Sequence, residues 1–189
     1  MSTKSVGSPD LIYQLKITLR GTKPPIWRRV QVPGKFSLYR LHQVIQIAMG
    51  WTDSHLHQFI IDGQYYSIPS SDDWGPVIDE RRHALSQIAP YEKRRFVYQY
   101  DFGDSWEHEI VVEKTMSPQT GLKYPVCLAG KRACPPEDVG GVWGYATFLE
   151  AIRDPYHEEH DSYLEWIGGQ FDPERCYLDE INQILRRVK

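Results

Sequence analysis

The stretch Tyr13-Gln14-Leu15-Lys16-Ile17-Thr18-Leu19-Arg20 decides the fold class, because its apolar and polar residues alternate strictly. Alternation with a period of two is typical of a strand with one buried face. Residues 21–25 contain Gly and Pro and predict a turn, and residues 26–32 alternate again. This part of the chain therefore predicts a pair of antiparallel strands.

The next segments predict one helix and two β-hairpins. Ser37 is a good N-cap, and apolar residues then recur at three- and four-residue spacing until Gly50 ends the helix. Residues 55–61 have strand character, and the Asp62-Gly63 turn that follows predicts the first hairpin. Residues 96–100 and 106–113 predict the second hairpin, because a Gly- and Asp-containing turn joins them.

The rest of the chain predicts irregular segments followed by helices. Residues 69–93 are mostly irregular with a short helix at about 85–88, and residues 117–142 read as a long loop rich in Pro and Gly. Helices are expected in residues 145–153 and 157–167, and a last one begins at Asp172-Pro173. Strands grouped before helices, without alternation of the two, predict an α+β fold. We expect one mixed or mainly antiparallel sheet covered by the early helix and the C-terminal helices.

Length and composition restrict the class of protein. The 189 residues fit one domain, which we expect over residues 11–189 after a flexible tail at residues 1–10. The 41% of hydrophobic and 25% of charged residues are typical of a globular protein. We find no apolar stretch long enough for a membrane helix and no signal-peptide pattern, so a cytoplasmic location with no membrane partner is the expectation. The three cysteines are then expected to be reduced thiols.

The charge distribution is uneven, although the net charge is only −3. Residues 1–40 contain eight Lys or Arg and one Asp, whereas residues 137–165 contain eight acids and one Arg. These groups either lie on solvated faces, attract each other within the fold, or form a basic face for phosphates. Trp27, Arg28 and Arg29 combine an aromatic ring with two cations and are the candidates for contact with nucleic acid.

Histidines and acids cluster near the predicted hairpins. His55 and His57 are two apart on a predicted strand, Asp101 and Asp104 lie in the turn of the second hairpin, and His108 follows on its second strand. If the two hairpins are neighbours, these side chains converge on a metal site or an acid/base site. The alternative is that the three histidines are ordinary strand residues with satisfied hydrogen bonds.

The segment Pro135-Pro136-Glu137-Asp138-Val139-Gly140-Gly141 is the most distinctive in the chain. Its prolines restrict the backbone, and its glycines permit positive φ before a predicted helix. Glu137 or Asp138 is therefore a candidate ligand, general base or helix-capping acid. The His157-Glu158-Glu159-His160 sequence, by contrast, has its histidines three apart, whereas the zinc-protease motif needs a spacing of four.

The order of four motifs resembles the plasmid pRiA4b ORF-3-like family over about residues 11–186. The motifs are residues 51–59 (WTDSHLHQF), residues 100–108 (YDFGDSWEH), residues 127–145 with the two cysteines and the PPEDVGG segment, and Trp166 with Phe171-Asp172-Pro173. The family is known mainly from plasmids, transposon passenger genes and prokaryotic chromosomes, and some relatives carry a resolvase label. We identify neither a serine-recombinase domain nor a helix-turn-helix in this chain. The resemblance implies site candidates without assigned roles, namely His55, His57, Asp101, Asp104, His108, Glu137 and Asp138.

Two functions of different classes follow. The first is an accessory or binding protein of a mobile-element-associated family, which contacts nucleic acid or another protein and needs no evident cofactor. The second is a divalent-metal-dependent hydrolase acting on phosphodiesters, with His55, His57, Asp101, Asp104 and His108 as ligands and Glu137 or Asp138 as base. The second function requires the histidines and the hairpin turn to meet within a few ångströms.

Overall fold

The computed structural model describes residues 10–71 and 75–188, and residues 1–9 of the tail predicted at residues 1–10 lie outside them. The strands are β1 (Ile12–Leu19), β2 (Trp27–Pro33), β3 (His57–Ile61), β4 (Gln64–Ser67), β5 (Ile78–Asp79), β6 (Arg95–Tyr100), β7 (Trp106–Met116) and β8 (Val126–Lys131). The helices are α1 (Leu38–Met49), α2 (Leu85–Ile88), α3 (Gly141–Arg153), α4 (His160–Trp166) and α5 (Leu178–Leu185), with a 3-10 turn at Glu80–Arg82. All strands belong to one sheet.

The sheet has the order β5-β4-β3-β6-β7-β1-β2-β8. Every neighbouring pair is antiparallel except β4 and β5, so the expected α+β class with a mainly antiparallel sheet is confirmed. The two predicted hairpins are β3-β4 and β6-β7, and they lie side by side because β3 pairs with β6. This adjacency is the condition that the predicted site required.

The hydrophobic core lies on one face of the sheet. Leu15, Ile17 and Val30 from the central strands are fully buried, and they belong to the same cluster as Leu41 and Ile45 of α1. The helix begins as predicted, since Ser37 Oγ accepts a hydrogen bond from Arg40 N, and it ends at Gly50 with φ 91°. The alternating pattern of β1 therefore places its polar residues on the other, solvent-facing side of the sheet.

Several predicted boundaries are wrong. The segment 117–142, expected to be a loop, contains the edge strand β8, and α4 begins at His160 rather than at residue 157. The last helix begins at Leu178, because Asp172 accepts from Glu174 N and forms a local turn instead of capping the helix. A short edge strand was missed because only its Cys127 position is fully buried, which leaves no alternation to read.

Side chains of α5 hold β8 in place. Asn182 accepts a hydrogen bond from Cys127 N at 2.7 Å and donates one to Cys127 O at 2.9 Å. One amide side chain thus replaces the backbone partners that an edge strand lacks. No helix among the described residues combines the length and the apolar character needed to cross a membrane.

Candidate functional site

The sheet register brings two sequence motifs together. His57 at the start of β3 pairs with Tyr100 at the end of β6. The segment before β3, residues 51–56, therefore lies beside the turn that follows β6, residues 101–105. A backbone hydrogen bond of 2.8 Å from Asp101 N to Leu56 O fixes this contact.

The segment with the two prolines packs against the same place. Trp51 Nε1 donates to Pro135 O at 3.0 Å. The Glu137 carboxylate accepts hydrogen bonds from Thr52 N and Oγ1 on one oxygen and from the Tyr100 hydroxyl on the other. Three stretches that are far apart in the sequence are thereby joined at one end of the sheet.

One histidine and two aspartates meet at this junction, and we call them the His55 centre. His55 Nε2 lies 3.1 Å from Asp138 Oδ1 and 3.8 Å from Asp101 Oδ2. One potential ligand atom from each side chain lies within 4.8 Å of the other two. All three residues are sequence-predicted candidates, so the structure brings these three together.

The His55 centre has the donor set and spacing of a cation site. His55 Nε2 is buried from solvent and makes no hydrogen bond of acceptable geometry, although two carboxylates face it. Asp101 and Asp138 both have positive φ, 55° and 61°, a conformation that Asp tolerates better than most residues. One imidazole nitrogen and two carboxylates suit a divalent ion of the first transition row. These residues fit such an ion.

Glu137 and Asp104 are held in structural contacts. Both oxygens of Glu137 accept hydrogen bonds, and burial together with the Glu137 contact raises the pKa of Tyr100 above its usual value. Asp104 Oδ2 accepts a hydrogen bond from Gly140 N at 3.1 Å. Gly141 allows this approach, since a Cβ there would lie 2.7 Å from Asp104 O. These contacts hold the two acids in place beside the centre.

His57 lies behind the centre in a separate group. Its ring stacks on that of His42, with centroids 3.5 Å apart and planes inclined by 3°. His57 Nε2 hydrogen-bonds the fully buried Glu80 at 2.9 Å, and His42 Nε2 lies 2.9 Å from Asp53 Oδ1. Burial, together with the neighbouring His57, lowers the pKa of His42 to about 3, so its ring is neutral near pH 7.

The stacked pair is poorly arranged to bind one ion with both rings. The lone pair of an imidazole nitrogen lies in the ring plane, so two parallel rings cannot both direct a lone pair at a shared ion. His57 therefore belongs to a buried His–Glu pair, and the expected ligand set with both His55 and His57 is wrong.

His108 lies deeper still. It is fully buried, its Nδ1 donates to Trp106 O at 3.1 Å, and the Trp51 ring meets it edge to face at 5.2 Å. Burial lowers its pKa to about 4. The expectation that His108 joins the other ligands is also wrong, because β7 turns this side chain into the core with Ile110 and Val112.

Sequence reasoning missed the residues that support the site. His42, Glu80 and Tyr100 were not candidates, although they hold His57 or Glu137. The one available signal was His42, a polar residue between Leu41 and Val44 on the buried face of a predicted helix. Glu80 lies in a segment without periodicity, so no pattern marked it.

The proposed nucleic-acid patch is divided by the sheet. Arg28 is 2% exposed and points into the core, whereas Trp27 and Arg29 lie on the other face of β2. Arg28 therefore cannot contact nucleic acid, which corrects the three-residue prediction. Arg29 forms a paired hydrogen bond with Glu113 at 2.6 and 2.8 Å, and Lys16 lies 5.4 Å from the Trp27 ring centre. Acids of β7 thus neutralise part of the basic charge.

The chain matches a protein-family model and two known proteins over most of its length. The model, described as plasmid pRiA4b ORF-3-like protein, matches residues 11–180. The uncharacterized protein y4hQ of Sinorhizobium fredii is 42% identical over 177 residues, which cover 92% of this chain and 90% of the relative. The chain also matches the crystal structure of MM3350 from Methanosarcina mazei Go1, a protein of unknown function, with a TM-score of 0.82 and 38% sequence identity. This match covers 92% of this chain and 97% of the other chain. The chain therefore belongs to the plasmid pRiA4b ORF-3-like family.

Proposed function

We propose that the protein is a divalent-metal-dependent hydrolase and that the His55 centre is its active site. The convergence of His55, Asp101 and Asp138 from three separate motifs carries this proposal. His55 also offers a nitrogen that is buried and makes no hydrogen bond. The ligand set is smaller than the five side chains expected from the sequence.

The chemistry follows from the ligands and their exposure. A bound divalent ion lowers the pKa of a coordinated water and polarises an ester oxygen. Asp101 is buried and anchored, because its Oδ1 accepts a hydrogen bond from Gly103 N at 2.9 Å. The Asp138 side chain is 70% exposed, which leaves one side of the centre open to substrate. A phosphodiester is the substrate class we propose, since its anionic oxygens are good ligands for such an ion.

Metal titration tests the site directly. Protein stripped with chelator and dialysed would be titrated with Mn²⁺ and with Zn²⁺ by calorimetry, and we expect one ion per chain. Asp101→Asn keeps the shape, the tolerance of positive φ and the amide contact to Gly103, but it removes a ligand charge. We expect it to weaken affinity by about 10-fold or more, by analogy with lost supporting contacts at metal sites. The exposed Asp161→Asn should leave affinity unchanged; equal affinity of both variants would overturn the site.

Hydrolysis is tested separately from binding. The metal-loaded protein would be incubated with bis(p-nitrophenyl) phosphate and the release of p-nitrophenolate followed. We expect turnover that is lost in His55→Gln and retained in His157→Gln. If the protein binds metal but hydrolyses neither bis(p-nitrophenyl) phosphate nor oligonucleotides, the proposed hydrolase function is refuted. The His55 centre would then be a metal-binding site only.

A protein-binding function is the second candidate, and exposed apolar side chains near the His55 centre favour it. Leu56 is 72%, Phe102 50% and Trp143 87% exposed. Leu56 O accepts the backbone hydrogen bond from Asp101 N. Trp143 lies in the first turn of α3, close to Gly140, whose N–H donates to Asp104. Exposed aromatic residues of this kind are typical of interaction surfaces.

Nucleic-acid binding is the remaining version of the binding function. Its support is reduced to Trp27 and Arg29, because Arg28 is buried. Retention on DNA at about 50 mM salt that weakens steeply by about 200 mM would support it. No retention at either concentration would reject it.

A further inference from the structure

A buried cation without an acidic partner lies under the C-terminal end of α1. Arg28 is 2% exposed, and no carboxylate in residues 10–71 or 75–188 lies within ion-pair distance of it. Its Nε donates to Ala48 O at 2.8 Å, and its Nη1 donates to Trp27 O and Lys131 O at 2.9 and 3.0 Å. Nη2 makes no hydrogen bond to the described residues.

These contacts orient the guanidinium without neutralising it. Carbonyl oxygens, one of them in the last turn of α1, reduce the cost of burying the charge. A buried charge is nevertheless expensive unless an opposite charge completes it. The close packing around the stem is built for this side chain, since a Cβ at Gly130 would lie 2.8 Å from Arg28 Cδ. The protein thus buries the Arg28 charge, at a cost in free energy, among residues that pack closely around its side chain.

Arg28 lines a cavity of about 260 Å³ between the end of α1 and α5. The walls are mainly apolar and include Ile47, Met49, Ile181 and Ile184. Two oppositely charged residues, Arg175 and Glu180, also line it, and both are exposed. Ligand pockets are typically apolar with a few placed polar groups, and this volume suits a molecule smaller than a drug.

We propose that this cavity binds a small monocarboxylate with an apolar body. The carboxylate would lie against the guanidinium, which offers planar, paired donors to such a group and gains the missing opposite charge. The apolar body would pack on the isoleucine side chains of α1 and α5. The site is separate from the His55 centre and does not depend on metal binding.

Calorimetry with three six-carbon probes tests the charge requirement. Hexanoate, hexanol and hexylammonium share an apolar chain and differ in charge. We expect hexanoate to bind with one site per chain and to raise the melting temperature with concentration. Hexanol should bind at least about 10-fold more weakly and hexylammonium not at all. Equal binding of hexanoate and hexanol would overturn the role of Arg28, and no binding of hexanoate would overturn the site.

Two variants locate the site while leaving Arg28 and its carbonyl contacts intact. Ile184 is 44% exposed, and Ile184→Trp should fill the cavity and abolish hexanoate binding. Ile68, 42% exposed and outside the cavity lining, gives the matched control Ile68→Trp, which should bind hexanoate normally. Hexanoate binding that survives Ile184→Trp would place the ligand elsewhere and refute the proposal.

Discussion

At the scale of single residues, burial decides the energetic weight of an ion pair. Glu80 is fully buried and both of its oxygens lie within hydrogen-bond distance of His57 Nε2, at 2.9 and 3.1 Å. Removing one partner of a buried pair leaves the other without compensation and costs about 3–5 kcal/mol. We expect Glu80→Ala to lower the free energy of unfolding by this amount, measured by urea denaturation at pH 7.

The control is an exposed ion pair that also contains a glutamate. Glu174 lies 3.0 Å from Arg132 and its side chain is 63% exposed. Surface pairs contribute about 0–1 kcal/mol, so Glu174→Ala should change stability by less than about 1 kcal/mol. Equal losses in the two variants would show that the Glu80–His57 contact has no special weight.

Also at the residue scale, Glu137 links the loop before β3 to the segment that carries Asp138. We expect Glu137→Gln to weaken the metal affinity of the His55 centre, because an amide cannot accept on both sides from Thr52 and Tyr100. The loss of charge-assisted bonds should also destabilise the fold by about 1–3 kcal/mol. Calorimetric titration and urea denaturation measure the two effects. The exposed Glu158→Gln should produce neither, and unaltered affinity in Glu137→Gln would contradict its positioning role.

At the scale of elements, one side chain secures the edge strand β8. Without Asn182 the N–H and C=O of the buried Cys127 lose their partners. Each unsatisfied buried group costs about 1–3 kcal/mol, so we expect Asn182→Ala to destabilise the protein by about 2–4 kcal/mol. Urea denaturation gives this value, and faster amide exchange at Cys127 would locate it. The neighbouring exposed Gln183→Ala should behave like the unmodified protein, and a loss in Asn182→Ala no larger than in this control would contradict the role of Asn182.

Elements with a clear period were predictable and the others were not. The alternation in β1 predicted a strand and its buried face. The N-cap and the amphipathic spacing of α1 predicted a helix and its buried face. The edge strand β8 has too few buried positions to show alternation, and the start of α5 was masked by the Asp172 turn. Tertiary contacts, such as the Asn182 side chain, define these elements, and no local pattern encodes such contacts.

At the scale of the whole molecule, the sequence predicted which motifs meet but not which side chains turn toward each other. Adjacent hairpins explain why His55, Asp101 and Asp138 converge. His57 and His108 alternate in phase with the buried Phe59 and Ile110, so strand position indicated that both face the core. Residue 55 lies before β3 begins, so the two-residue rule could not place His55. The split of Trp27 and Arg29 from Arg28, by contrast, follows from strand alternation and was open to prediction.

Two buried histidines make the stability of the whole molecule depend on pH. The pKa of His42 is lowered to about 3 and that of His108 to about 4, in both cases mainly by burial. The unfolded chain binds protons at these histidines near pH 6.5, whereas the folded chain does not until lower pH. Stability is therefore complete above about pH 6.5 and falls as the pH decreases, by about 1.4 kcal/mol per pH unit for each group.

Urea denaturation at pH 7 and pH 5 measures this effect before most carboxylates titrate. We expect the free energy of unfolding to fall by about 2–4 kcal/mol between the two values. Burial raises the pKa of Asp53, which acts in the opposite direction. His108→Leu should remove about half of the loss, and His157→Gln should keep all of it. Equal stability at pH 7 and pH 5 would mean that the folded chain takes up these protons as readily as the unfolded chain. That outcome would contradict the neutral, buried state of both rings.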